Sequence, residues 1–272
     1  MDEQLRKWRA RLAEAVAEAE RSSLLEQVAE PEGRIDPHLV GIPVLGSLVL
    51  VFLEYWGGSG EWGTFVDAVG LVGPDILAEQ LRGAFESGRY SRLYELAYWS
   101  GCTVLGYLLV PALYIRYAMD RPVRSMGLTA SETGRHAWMY LALFALVLPV
   151  VYAVSGTQGF QSTYPFYEHA GRSAFDFVVW ELLYAAQFFA LEFFFRGFLI
   201  HGLKHRFGVY AVMVQIMPYC MIHFGKPAPE AVGAIAAGLV LGSFSLVTGS
   251  IWLGVAIHVS VAVSMDIFAM LA

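Results

Sequence analysis

Charge is scarce in this chain: only 15% of the residues are Asp, Glu, Lys or Arg, against 57% hydrophobic. A soluble domain of 272 residues needs more charge than that to cover its surface, so the balance points to a multi-span membrane protein. Basic residues are the scarcer kind. The net charge of −6 removes nucleic acid from the expected partners. Cysteine is nearly absent, and Cys102 and Cys220 fall in separate apolar runs, which suits packing rather than a disulfide. No small-residue cleavage site follows the first apolar stretch and the residues before it are charged, so no cleaved signal peptide is expected. No long-period repeat is visible, which argues against a solenoid, and there is no obvious inverted repeat.

What the chain has is long apolar runs. Seven stretches, at about 38–56, 95–118, 137–155, 175–203, 208–224, 230–248 and 250–271, each approach the ~20 residues that cross a bilayer as a helix. The expected fold is an all-α, polytopic transmembrane bundle of about seven or eight spans, its bilayer the first partner. Residues 57–92 carry Asp67, Asp75, Glu79, Arg82 and Glu86 and are expected to be a polar connection. Ahead of the spans, Leu5, Trp8, Leu12, Val16 and Ala19 repeat at helical spacing among Glu and Arg. That makes residues 1–37 an amphipathic N-terminal helix, ended by Pro31, Gly33 and Pro37, and 38–272 the integral domain. The helix can lie on the membrane surface or pack on the protein itself; the pattern fits both.

Orientation follows from counting basic residues. With the N-terminus cytoplasmic, twelve of the Lys and Arg fall on inner segments and five (Arg82, Arg89, Arg92, Arg172 and Lys226) on outer ones, Arg196 being the remaining one. The asymmetry favours a cytoplasmic N-terminus, and a bacterial inner membrane is the expected location.

Against this apolar background four residues stand out. Glu192 and Arg196 sit one helical turn apart inside the run from Trp180 to Leu203, and His223 and His258 lie in later runs. Charged side chains inside a bilayer cost at least ~2.5–3.5 kcal/mol on insertion scales, so they are rarely idle. At ~1.5 Å per residue, Glu192, His223 and His258 reach overlapping depths, ~12–22 Å from the cytoplasmic face. Glu192 and Arg196 can equally be an intrahelical ion pair that neutralises itself for insertion, and an arginine partner makes a carboxylate a weaker base. The histidines can each satisfy a neighbour. As a site they offer two chemistries: zinc held by His223 and His258 with Glu192, or a metal-free mechanism in which they stabilise an oxyanion or pass protons. Lys226, Glu230 and Asp266 lie near enough to assist, but surface or capping roles suit them better. Ala234, Gly238 and Gly242 form a stripe of small residues that reads as close helix packing.

The run Glu192-Phe-Phe-Phe-Arg196-Gly197, then Tyr219-Cys-Met-Ile-His223, then His258, resembles the three motifs of the CPBP intramembrane proteases. That family includes type II CAAX prenyl endopeptidases and bacterial abortive-infection and bacteriocin-processing proteins. Its pattern is Glu-Glu-x-x-x-Arg, Phe-x-x-x-His and His-x-x-x-Asn on separate transmembrane helices. The resemblance covers about residues 120–271, including Met126-Gly127-Leu128 ahead of the core. It implies an endopeptidase acting on a membrane-associated substrate, a CAAX-type tail or a leader peptide, with Glu192, Arg196, His223 and His258 at the site. Three positions depart from it. Leu191 stands where the family has its water-activating glutamate, Tyr219 replaces phenylalanine, and Ala262 replaces the asparagine. Neighbours on an α-helix point ~100° apart, so Glu192 cannot take over from position 191 unless the helix rotates or bulges. The departures support an alternative, a catalytically impaired protein that binds membrane peptides as a scaffold or immunity factor. A coupled transporter would show inverted repeats or broken helices in both halves, and neither is visible.

Overall fold

The computed structural model describes residues 2–29, 36–130 and 133–272. Among them every regular element is helical, apart from one isolated bridge between Leu128 and Ser250. The main helices in chain order are α1 (Asp2–Ala29), α2 (Pro37–Tyr55), α3 (Trp62–Val72), α4 (Asp75–Ser87) and α5 (Ser91–Tyr117). They continue as α6 (Thr133–Ser155), α7 (Ala174–Phe207), α8 (Tyr210–Met221), α9 (Ala228–Thr248) and α10 (Trp252–Leu271). Six of these, α2, α5, α6, α7, α9 and α10, are long and apolar enough to span a bilayer. The protein is thus an all-α polytopic membrane bundle.

All seven expected stretches fall on helices, but the fifth is short. The 12 residues of α8 cover ~18 Å, less than the ~30 Å hydrocarbon core. Pro218 weakens its last turn, and Gly225, at φ 89°, with Pro227 keeps it from continuing. The polar connection is not a simple linker: α3 and α4 pack together there, Trp62 stacking on Phe85 at 4.8 Å. Val66 and Phe85 are buried while Asp67, Asp75, Glu79, Arg82 and Glu86 stay exposed, so the segment remains off the span list yet has a small core.

At the N-terminus, α1 lies against α9 and the last turns of α7, with Trp8 edge-on to Phe244 at 6.3 Å. Pro31 and Gly33 lie outside the described residues. Pro37 opens α2, where its fixed φ suits the first turn, and Asp36 caps it by accepting from the His38 amide at 2.8 Å. Both cysteines are free thiols.

The centre of the bundle is α7. Ser173 caps it, accepting from the Asp176 amide at 3.1 Å. Its residues Phe193–His201 adopt a π-helix, and all nine are buried. Phe193, Phe194, Phe195 and Phe198 are core side chains, packed around the buried Arg196 and His201. A second π segment, Leu105–Leu109 in α5, packs on the first through Tyr107, 4.7 Å from Phe194. The Met126-Gly127-Leu128 element presses on the other side of α7. Gly127 takes φ 84° and its carbonyl accepts from the Ile251 amide at 2.9 Å. A methyl at Gly197 would come within 2.8 Å of the Met126 carbonyl oxygen, a backbone atom that cannot step aside. Gly197→Ala is therefore expected to lower stability by about 1–3 kcal/mol, read by thermal unfolding in detergent. The small-residue stripe is close packing: a methyl at Gly242 would come within 2.8 Å of Val212 on α8.

Candidate active site

Glu192 occupies the last α-helical position of α7 before the π segment, which begins at the next residue. The bulge named above as the condition for Glu192 to change its facing is therefore present directly beside it. Wide turns of this kind are uncommon and recur at functional sites. Glu192 and Arg196 are both fully buried. Nη1 of Arg196 stands 3.5 Å from Oε1 of Glu192, an ion-pair distance rather than a hydrogen bond.

His258, on α10, completes the contact. Its Nδ1 lies 2.7 Å from Oε1 of Glu192, although the carboxylate sits off the ring N–H direction. Its Nε2 lies 2.9 Å from the hydroxyl of Tyr219, on α8. The ring stacks on Phe188 at 5.2 Å, one turn before Glu192 on α7. Gly254, one turn before His258, makes this approach feasible. Any side chain there would overlap Oε2 of Glu192 and come within 2.8 Å of its Cδ.

Tyr219 ties the remaining pieces together. The guanidinium of Arg196 lies 4.0 Å over its ring, a cation–π contact in a water-poor setting. His223, on the turn after α8, donates from Nδ1 to the Tyr219 carbonyl at 2.8 Å, and the two rings are 4.9 Å apart. A carbonyl only accepts, so Nδ1 of His223 carries a proton; burial pushes the imidazole below its ordinary range, so the ring is neutral and keeps its lone pair at Nε2. Glu192, Arg196 and His258 thus meet directly, while His223 joins them through Tyr219.

The cluster has hydrogen-bonding capacity to spare. Neither oxygen of Glu192 and none of the three guanidinium nitrogens of Arg196 has an aligned hydrogen-bond partner. Buried polar groups seldom stay unsatisfied, and such capacity is what a water molecule or a peptide group would take up. His223 and His258 are half-buried, so they mark the side from which the cluster is approached.

The donor set fits a metal poorly: among the described residues no three of His, Cys, Asp and Glu stand where they could hold an ion, and His258 meets the Tyr219 hydroxyl at Nε2.

The neighbouring acids are engaged elsewhere. Glu230, in the first turn of α9, pairs with Lys226 at 2.7 Å and accepts from the Tyr164 hydroxyl at 3.1 Å. Burial, and Glu230 beside it, push the Tyr164 phenol well above its ordinary range, so it stays a donor. Asp266, expected at a surface or a cap, is instead fully buried and accepts from the Trp180 indole at 2.7 Å. Of the motif departures, Leu191 packs against the central core, and Ala262 packs in an aromatic cluster with Trp180 and Tyr184. Neither Gly254 nor the Tyr219 hydroxyl stands out as a site feature in the sequence. The spacing Gly254-Val-Ala-Ile-His258, which puts a missing side chain one turn from a buried histidine, was the available signal for the first.

Comparison with known proteins bears on the same helices. No curated protein and no solved structure matches the chain significantly. A family model, Type II CAAX prenyl endopeptidase Rce1-like, matches residues 173–264. The match opens on the Ser173 cap of α7 and ends within α10, so it covers the helices that carry all three motifs. Over residues 173–264 the chain is therefore similar to the Rce1-like type II CAAX prenyl endopeptidases, in keeping with the CPBP resemblance of its motifs.

Proposed function

We propose that this protein is an intramembrane endopeptidase that hydrolyses a peptide bond in a membrane-associated substrate, a prenylated C-terminal tail or a leader or tail peptide. One observation carries the reading. The Glu192 carboxylate is fully buried, 2.7 Å from Nδ1 of His258 and 3.5 Å from Arg196, and still has both oxygens free to accept. Arg196 lowers its basicity, but two unbonded oxygens leave the carboxylate able to take a proton from water, the position a general base needs.

In the proposed step, Glu192 takes a proton from water while the water oxygen bonds to the peptide carbonyl carbon, and the C=O electron pair moves onto oxygen. Collapse of this tetrahedral anion re-forms C=O and breaks the C–N bond, and the proton held by Glu192 passes to the leaving nitrogen. Arg196 and His258 keep the carboxylate in place and offset its charge. Neutral His223, with its lone pair at Nε2, suits proton transfer better than donation to an oxyanion. On this reading residues 38–272 form the peptidase domain with a motif core at about 120–271, the N-terminus is cytoplasmic, and the protein works in a bacterial inner membrane.

A second reading has its own support. The two lost motif positions, Leu191 and Ala262, are occupied by packing side chains, and Glu192 is neutralised within its own helix. That is what a catalytically impaired peptide-binding scaffold would display. The deciding experiment reconstitutes the full chain in lipid nanodiscs with prenylated tail peptides and leader peptides, and follows products by mass spectrometry. Cleavage at one bond supports the peptidase. Stable peptide binding with no cleavage of any of them supports the scaffold.

A further inference from the structure

Tyr219 stands at a motif position where the family pattern has phenylalanine, so its hydroxyl is an addition. That hydroxyl is buried and 2.9 Å from Nε2 of His258. On the far side of the imidazole, Nδ1 faces the Glu192 carboxylate at 2.7 Å. An ionised carboxylate only accepts, so a proton on His258 belongs at Nδ1, and Nε2 without one receives the Tyr219 O–H. Stacking on Phe188 holds the plane of the imidazole but does not distinguish the ring from its flipped form. Partners at opposite nitrogens do, since a flip would put carbon where each nitrogen now stands.

The phenol is itself well fixed. Arg196 lies 4.0 Å over its face, Phe195 meets its edge at 5.2 Å, and its own main-chain carbonyl binds His223. Position 262 on α10, one turn beyond His258, holds alanine and sits in the aromatic cluster with no polar group to offer. We infer that Tyr219 is a positioning residue: its hydroxyl anchors Nε2 of His258 and thereby holds Nδ1 beside the Glu192 carboxylate, supplying from α8 a polar anchor that α10 lacks at residue 262. The consequence for catalysis rests on the peptidase reading, whereas the anchoring rests on the distances alone.

Tyr219→Phe tests this, because it removes one oxygen and keeps the ring that Arg196 and Phe195 pack against. The full chain, labelled with ¹⁵N-histidine, is placed in lipid nanodiscs, and the Nε2 resonance of His258 is assigned by its loss in His258→Gln. In Tyr219→Phe that resonance should move to the position of an imine nitrogen with no hydrogen bond, while thermal unfolding stays close to wild type. Cleavage should lose about ten-fold in kcat, the size of one net hydrogen bond, with KM unchanged because Tyr219 is buried beneath the two histidines. A purely structural tyrosine would lower stability and leave both the Nε2 resonance and kcat per folded molecule as they were, and that result overturns the proposal. An Nε2 shift in a protein whose wild type cuts nothing would leave the anchor standing and remove the peptidase reading instead.

Discussion

Peptide cleavage falls about 10²–10⁴-fold when Glu192 is replaced by glutamine, the loss expected on removing a general base. Glutamine fills the same space and can still face His258, so the missing property is the ability to take a proton. The same change removes the counter-charge of Arg196, which is fully buried 3.5 Å away. Breaking one side of a buried pair costs about 3–5 kcal/mol, so Glu192→Gln should also unfold at a lower temperature. The two effects separate in a double variant. Glu192→Gln with Arg196→Met replaces the pair by neutral groups of similar size, a change that is often close to neutral in stability. Unfolding should return towards wild type while cleavage stays lost. Recovery of cleavage along with stability would make Glu192 a charge partner and nothing more.

The second large effect is expected at a residue with no side chain. A methyl at Gly254 overlaps Oε2 of Glu192, so Gly254→Ala must either displace the carboxylate or push α10 away from α7. Overpacking of this kind costs about 1–3 kcal/mol, and here it falls on the charged cluster. Cleavage should drop to the level of Glu192→Gln. Gly233 in α9 is the control, since a methyl there meets nothing within 4 Å. Gly233→Ala should leave cleavage unchanged and raise stability by up to about 1 kcal/mol through helix propensity. Equal behaviour of the two alanine variants would mean that α7 and α10 do not approach at Glu192 as described.

Much of the site was legible because the bilayer makes polar residues conspicuous. Glu192, Arg196, His223 and His258 each interrupt an apolar run, and helical rise alone placed three of them at overlapping depths. Depth is a one-dimensional quantity, however, and the rest of the site depends on rotation. The π segment at Phe193–His201 leaves no mark in its sequence, since phenylalanine, leucine and isoleucine pack equally well on a narrow or a wide turn. Asp266 shows the same limit. Its partner, the Trp180 indole, comes from α7, and no local spacing on α10 predicts it. The fold was read at the level of spans for a similar reason: apolar length identifies a helix, but it took Pro218, Gly225 and Pro227 acting together to stop α8 after 12 residues. The α3–α4 pair was missed because its core is two side chains, Val66 and Phe85, among many exposed charges.

The proposed chemistry depends on α7 and α10 bringing Glu192 and His258 together. The direct test is a dipolar-coupling distance between ¹³C-glutamate and ¹⁵N-histidine labels in the full chain in bilayers, with His258→Gln to assign the signal. A Glu192 oxygen 2.7 Å from His258 Nδ1 puts the carboxyl carbon and that nitrogen close enough for strong coupling, lost in the variant. A coupling that places the carboxylate beyond hydrogen-bond reach, more than about 4 Å from the ring, would contradict it.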